Sequence, residues 1–158
     1  MPKHPTDAEA ERVVRAYADM IYRMAFAHVR NRSDADDVMQ EVFLRYLRKR
    51  PTFESEEHCR RWLLRVTVNC AKSCNNTAWM RYVVPLEEDV FTEPEEQRLS
   101  DALLKLPPKY RDVIHLHYYE GYKTEEIAVI LHRKPATVRS QLARAREKLS
   151  AILKEELE

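Results

Sequence analysis

Apolar side chains recur along this chain at the three-and-four spacing of helices buried on one side. Val13, Val14, Tyr17, Ile21, Met24 and Ala25 mark a first helix from about Ala8 to Arg30, and Asn31-Arg32 breaks it. Ser33 starts a second helix. Asp36 three residues on completes a capping box, and Asp34, Asp36 and Asp37 suit the positive end of the helix dipole. This helix runs from Asp34 to Leu47, with Val38, Val42 and Leu44 to Leu47 as its buried side, and Pro51 closes it. Ser55 or Glu56 opens a third helix, which continues to about Trp79 on an inner row of Cys59, Leu63, Val66, Cys70 and Cys74. Arg61, Arg65, Val68, Asn69, Lys72 and Asn76 fall on its other sides.

The second half predicts shorter helices. One runs from Pro94 to Leu106, and Leu106-Pro107-Pro108 turns the chain. Pro108 fits the first turn of the next helix, marked by Tyr110, Val113, Ile114, His117 and Tyr118 and stopped at Gly121. Thr124 caps a short helix to Leu131, His132-Arg133-Lys134 turns, and Pro135 starts a long one. Val138, Leu142, Ala145, Leu149 and Ile152 form the inner row of that last helix. Arg139, Ser140, Ala143 and Arg144 lie opposite, with Gln141, Arg146 and Lys148 on the flanks. A short helix, a tight turn and a longer basic helix make a helix-turn-helix, with Ile127, Ala128 and Leu131 packing on Val138 and Leu142. The expected fold is all-α, in two helical domains.

Composition supports this and says where the domains part. One glycine in 158 residues and 34% charge favour helices with few tight turns. The net charge of +1 does not by itself announce a nucleic-acid partner, but its distribution is uneven. Residues 1–86 carry net +4, residues 87–101 net −6 and residues 102–158 net +3. The acidic stretch lies in a segment from Tyr82 to Gln97 interrupted by Pro85 and Pro94, which reads as a linker between domains 8–81 and 98–155. Val83, Val84, Leu86, Val90 and Phe91 distinguish it from a plain polar spacer. The longest apolar runs fall far short of the about 18 residues of a spanning segment, so the expectation is a cytoplasmic protein with no membrane insertion.

The candidate chemistry is recognition rather than catalysis. One glycine excludes a glycine-rich phosphate loop, and no His/Cys/Asp arrangement repeats on one helix face. The three cysteines read as small core hydrophobes. Cys59 and Cys70 stand about 16 Å apart by helical rise, too far for a disulfide. Cys70 and Cys74 lack two further ligands for a metal, so neither metal nor cofactor is expected. On the second helix Asp37, Gln40, Glu41 and Arg45 share a polar side, which taken alone is a solvated face with Glu41 paired to Arg45. On the third, Arg, Lys and Asn beside Trp62 suit stacking and hydrogen bonding to single-stranded nucleic acid, or equally a solvated face with Trp62 in the core. The outer face of the last helix suits a DNA major groove, since Arg, Ser and Gln can reach phosphates or base edges.

Three stretches in order resemble the extracytoplasmic-function sigma factors of the sigma-70 family. Asp34-Ala-Asp-Asp-Val-Met-Gln-Glu-Val-Phe resembles the segment of sigma domain two, a three-to-four-helix bundle, that grips the clamp helices of RNA polymerase. Trp62-Leu-Leu-Arg-Val-Thr-Val-Asn-Cys-Ala-Lys resembles the helix that opens and reads the −10 element. Leu106-Pro-Pro-Lys-Tyr-Arg-Asp-Val-Ile, Thr124-Glu-Glu-Ile-Ala and Ala136-Thr-Val-Arg-Ser-Gln-Leu-Ala-Arg-Ala-Arg resemble sigma domain four, whose helix-turn-helix reads the −35 element. The resemblance implies a transcription initiation factor with core RNA polymerase, promoter DNA and an anti-sigma factor as partners. It puts Asp37, Gln40 and Glu41 against polymerase, and Trp62, Arg65, Asn69 and Lys72 on the −10 strand, with Asn69 at a flipped base. It puts Thr137, Arg139, Ser140, Gln141, Arg144 and Arg146 on −35 DNA, and threads the acidic linker through the polymerase channel.

The chain also departs from the family pattern. His132 stands where a small or acidic residue is usual, Lys134 replaces a common Ser cap, and Gln141 sits where Arg is frequent, which moves the expected base from guanine toward adenine. Ser73 to Arg81 carries one charge where the family often has an arginine-rich run. The competing expectation is a stand-alone helix-turn-helix regulator acting as a dimer on palindromic sites, which leaves the side formed by Asp37, Gln40 and Glu41 without a role.

Overall fold

The computed structural model describes residues 6–77 and 94–157, and among them it holds seven α-helices, one π-helical turn and no strand. The chain separates into two compact units, Met1–Val83 and Val84–Glu158. The linker expected over 82–97 lies outside the described residues as far as position 93, as does the expected helix end near Trp79.

The first unit is three mutually packed helices, α1 (Asp7–Val29), α2 (Arg32–Lys49) and α3 (Glu56–Thr77). Thr6 caps α1, its hydroxyl accepting from the Glu9 amide at 3.2 Å. The cap of α2 differs from the sequence expectation. Asn31, in extended backbone, accepts from the Asp34 amide at 3.0 Å, so the helix starts two residues earlier and Ser33 sits inside its first turn. Asn is as good a cap as Ser, and the residue read as a break is the one that starts the helix.

The buried row of α2 is Ala35, Val38, Val42 and Tyr46, each at most 3% exposed. Leu44 and Leu47 were expected inside but are 47% and 40% exposed. Four consecutive residues span more than one turn, so they cannot all face one core. α3 buries a wider arc than expected: Cys59, Leu63, Leu64, Thr67, Val68, Cys70 and Ala71 are each at most 4% exposed, and Val66 and Cys74 lie at its edges. Val68, expected on an outer side, is therefore in the core. The helix packs on both α1 and α2, so one narrow row does not suffice. The buried Thr67 hydroxyl donates to the Leu63 carbonyl at 2.6 Å, which satisfies it without a second element. At the start of α3, Ser55 accepts from the His58 amide at 3.1 Å, and Glu56 takes the Tyr17 hydroxyl and, at 3.0 Å, the Arg12 guanidinium.

The second unit contains α4 (Pro94–Leu104), α5 (Pro108–Ile114), a π-helical turn (His115–Tyr119), α6 (Thr124–Leu131) and α7 (Pro135–Leu157). Pro108 sits in the first turn of α5, as its fixed φ favours. The continuous α-helix expected through Tyr118 instead widens after Ile114. The Glu120 amide donates to the His115 carbonyl at 3.1 Å, and the buried side chains of the same two residues meet at 3.2 Å. Gly121 then takes φ +77, the left-handed position that ends the element. Lys123 precedes α6 in extended backbone and its amide donates to the Glu126 carboxylate at 3.0 Å, so Thr124 is the first helical residue rather than the cap.

Val138, Leu142 and Ala145 of α7 are at most 2% exposed, and Leu149 and Ile152 continue the row half-buried. Ala145 joins Leu106, Tyr110 and Ile114 in one cluster, while Ile127, Ala128 and Leu131 of α6 are buried where α6 packs on α7. Each fully buried large aliphatic side chain contributes about 1.5–3 kcal/mol, so these rows fix the helix-turn-helix without help from its polar face.

Replacing Asn31 with Ala should cost about 1 kcal/mol of stability, while Ser33→Ala should stay within about 0.5 kcal/mol. Trp62 is half-buried in the first unit against Tyr46 and Phe53, so urea unfolding followed by tryptophan fluorescence reads that unit. A larger loss from Ser33→Ala would return the cap to Ser33.

Candidate nucleic-acid interface

Burial of one arc of each helix decides which residues reach a partner. On α2, Asp37 and Gln40 are exposed and Glu41 is half-buried, its carboxylate 3.3 Å from Arg45. These residues lie opposite the Ala35–Val38–Val42–Tyr46 row. Leu44, one turn beyond Gln40, falls among them and is exposed. Sequence periodicity counted Leu44 as core. The signal against this was its polar company at i−3, i−4 and i−7, namely Glu41, Gln40 and Asp37. A single exposed leucine among polar side chains is ordinary on a protein surface.

On α3, Trp62, Arg65, Asn69 and Lys72 fall within about 80° of the helix circumference, outside the buried arc. Asn69 and Lys72 are exposed, and Trp62 and Arg65 are half-buried. The Trp62 ring is partly engaged inside its own unit. It lies 6.3 Å from Tyr46 and 5.7 Å from Phe53, centroid to centroid, with both rings inclined to it. This cluster anchors the start of the face and leaves Asn69 and Lys72 two to three turns further along as its open part.

On α7, Thr137, Ser140, Gln141 and Arg144 lie on the outer face and one flank, and all but the half-buried Gln141 are exposed. Arg139 and Arg146 are on the other flank. Arg139 reaches Glu125 of α6 at 3.9 Å, an exposed pair that is worth little and can open. Arg146 donates to the Tyr118 hydroxyl at 2.6 Å, with its guanidinium over that ring. Arg146 is thus turned toward the π-helical turn rather than grouped with Ser140 and Arg144. Glu147, exposed near the centre of the outer face, sets an acidic limit to the basic stretch.

Arg133, in the turn before α7, was read in sequence only as part of a spacer. Its guanidinium donates to Gln141 Oε1 at 2.8 Å. Burial lowers its pKa from the ordinary value, and the charge of Asp112, fully buried on α5, opposes that shift. Nothing in local sequence pairs residues 133 and 141, because the contact depends on how the turn folds back on α7.

The cysteines are core residues. Cys59 and Cys70 are buried and Cys74 is half-buried, and all three are free thiols. Burial pushes all three thiols up, Cys59 to about 11. No helix among the described residues is long and apolar enough to cross a membrane.

A three-helix unit followed by a helix-turn-helix unit defines a class of helical DNA-binding proteins, and comparison with known proteins narrows it. The sequence matches Sigma-70 region 2 over residues 13–74 and Sigma-70 region 4 over residues 96–149. It is 34% identical over 161 residues to the RNA polymerase sigma-E factor of Streptomyces coelicolor, covering 94% of this chain and 86% of that one. It is 33% identical over 162 residues to the ECF RNA polymerase sigma factor SigE of Mycolicibacterium smegmatis, covering 90% of this chain and 61% of SigE. Among solved structures, the sigma factor RpoE of Bartonella quintana, crystallised with the anti-sigma factor NepR, has the same fold. The TM-score is 0.77 at 20% identity, over 91% of this chain and 96% of that one.

The chain belongs to the extracytoplasmic-function branch of the sigma-70 family, bacterial transcription initiation factors that bind core RNA polymerase and promoter DNA. Two matched regions, one in each unit, disfavour the stand-alone regulator.

A thiol moved from 9.0 to about 11 loses about a hundredfold of its thiolate at neutral pH. Iodoacetamide at pH 8 should therefore modify Cys59 in the folded chain at least about a hundredfold more slowly than in urea, as read by peptide mass spectrometry. Equal rates would remove Cys59 from the core.

Proposed function

We propose that residues 8–81 bind core polymerase through Asp37, Gln40, Glu41 and Leu44 and hold the melted −10 strand on Trp62, Arg65, Asn69 and Lys72. Residues 98–155 read −35 duplex, with Thr137, Ser140, Gln141 and Arg144 toward the groove and Arg139 and Arg146 at its edge. The acidic segment 82–97 follows the polymerase channel, where its charge complements a surface built for nucleic acid. The observation that carries this reading is the division of α3 into a buried arc and an outer face. Asn69 stands exposed on a rigid helix whose opposite side is core. A side chain fixed in that way can select a base once it leaves the stack. Base capture is worth on the order of 1–3 kcal/mol per base, enough to bias melting when repeated. The chain itself performs no bond chemistry in this reading. RpoE of Bartonella quintana with NepR, and CnrH with the cytosolic domain of CnrY, support an anti-sigma partner for this chain as well.

Changing Gln40 and Glu41 together to Ala should weaken core-polymerase binding about tenfold or more with thermal stability retained, and Leu44→Ala should do the same alone because its side chain is not core. Unchanged affinity in all three substitutions sinks the α2 assignment.

Asn69→Ala should reduce open-complex formation, followed with a fluorescent base near −10, more than it reduces binding of a −35 duplex. Equal losses would leave Asn69 with a structural role only.

Arg144→Ala should weaken promoter binding and lower the slope of log affinity against log salt by about one, the value for a single phosphate contact. Affinity unaltered at every salt concentration means that Arg144 does not face DNA.

A further inference from the structure

Much of the positive charge on α7 is engaged within its own unit. Arg146 is bonded to the Tyr118 hydroxyl, and Lys148 lies over the Tyr110 ring at 6.0 Å. Arg139 faces Glu125 of α6 at 3.9 Å, and the two side chains are 57% and 66% exposed. That separation is longer than a hydrogen bond, so charge attraction in water is what keeps Arg139 there.

The two partners differ in how firmly they are placed. The Glu125 carboxyl is held below its ordinary pKa, first by its own backbone amide, then by the Thr124 hydroxyl, with the charges of Arg139 and Lys123 adding to them. It is ionised at neutral pH and tied to the first turn of α6, where the helix dipole favours an acid. Arg139 carries its charge on a long stem with many rotamers. In a helix-turn-helix the first helix crosses the phosphate backbone while the second enters the groove. An anchored carboxylate on α6 and a phosphate of the duplex then compete for the same guanidinium.

We propose that Glu125 is a positioning residue for Arg139: it holds the guanidinium against α6 and withholds it from the DNA backbone, so that α7 binds duplex with one phosphate contact fewer than its sequence provides. This rests on the reading of α7 as the −35 helix. Held together, the two side chains present almost no net charge to the duplex. The second unit then binds promoter less firmly than its cations allow, and the contacts that read bases carry a larger share of what remains.

The test uses the full chain with core polymerase and a promoter duplex that wild type selects from a randomised library. Phosphates across the −35 element are replaced one at a time by neutral methylphosphonates. Glu125→Gln keeps the shape and an acceptor oxygen and removes the charge. It should strengthen promoter binding by about threefold, the modest size expected where an exposed ion pair is exchanged, and steepen the slope of log affinity against log salt by about one. It should also add a phosphate to those whose neutralisation weakens binding. Arg139→Ala combined with Glu125→Gln should remove that phosphate and the added slope. Arg139→Ala alone should remove no phosphate.

An unchanged phosphate set in Glu125→Gln overturns the proposal whatever the affinity, because Arg139 is then not released to the backbone. So does loss of a phosphate in Arg139→Ala alone, which means that Arg139 reaches DNA with Glu125 in place. Weaker binding by Glu125→Gln with thermal stability retained overturns it as well, since Glu125 then presents Arg139 to the duplex. The phosphate scan compares duplexes within one variant, so it is read in the same way if Glu125→Gln melts at a lower temperature. If Arg144→Ala loses a phosphate while Glu125→Gln adds none, the proposal fails and the −35 reading stands. If Arg144→Ala, Arg139→Ala and Glu125→Gln all leave binding and the phosphate set unchanged, the −35 reading fails with it.

Discussion

An α-helix has one circumference to divide between its core and its partners, and in both units this division sets everything else. Leu63, Leu64, Thr67 and Ala71 of α3 are fully buried, and Val68 and Cys70 nearly so. With that arc spent, Asn69 and Lys72 have nowhere to point but outward. Val138, Leu142 and Ala145 do the same for α7 and leave Ser140 and Arg144 outside. The apolar rows hold the helices, and the polar residues are thereby free to be chosen for recognition alone. A substitution on an outer face can alter binding at little expense to the fold, and one on an inner row reorients every functional residue on its helix.

Neither surface is a strong binder by its chemistry. The outer face of α7 offers a few cationic and hydrogen-bonding side chains and ends at Glu147, and the face of α3 offers Arg65, Asn69 and Lys72 beside a tryptophan already in contact with Tyr46 and Phe53. Carried on one chain, the two proposed contacts would act at high effective concentration once either is made. A division of labour of this kind agrees with a net charge near neutrality. A net charge of +1 gives no strong overall attraction to nucleic acid.

Periodicity placed the helices and the helix-turn-helix, and three ordered motifs pointed to the family that the comparisons establish. What sequence could not resolve was geometry that depends on two elements at once. Ser33 and Asn31 are both good caps, and only the start of the backbone turn decides between them. Leu44 and Leu47 look like core in a run of apolar residues, because hydropathy counts residues and not directions. Val68 is buried because α3 packs on two neighbours. The π-helical turn at His115–Tyr119 needs the meeting of His115 and Glu120 in the interior, and the pairing of Arg133 with Gln141 needs the turn to fold back on the helix that follows. The roles proposed for individual residues toward DNA rest on the family pattern alone, since an exposed Asn or Arg has the same local signature whether or not it binds.

Three helices end on residues in the left-handed region without glycine: Arg30 at φ 55, Arg50 at φ 39 and His132 at φ 54. Each side chain there costs the folded state on the order of 1 kcal/mol. A glycine would remove that cost while widening the unfolded ensemble by about 0.4–1 kcal/mol, so the strain is offset only in part. A chain with a single glycine that stops its helices on arginine and histidine therefore carries a net cost at each of these positions. It also gains a cation at the negative end of α1 and α2, where the helix dipole favours one. The scarcity of glycine is in this sense a trade of strain in the native state against freedom in the denatured one, eased at α1 and α2 by the cation at the helix end.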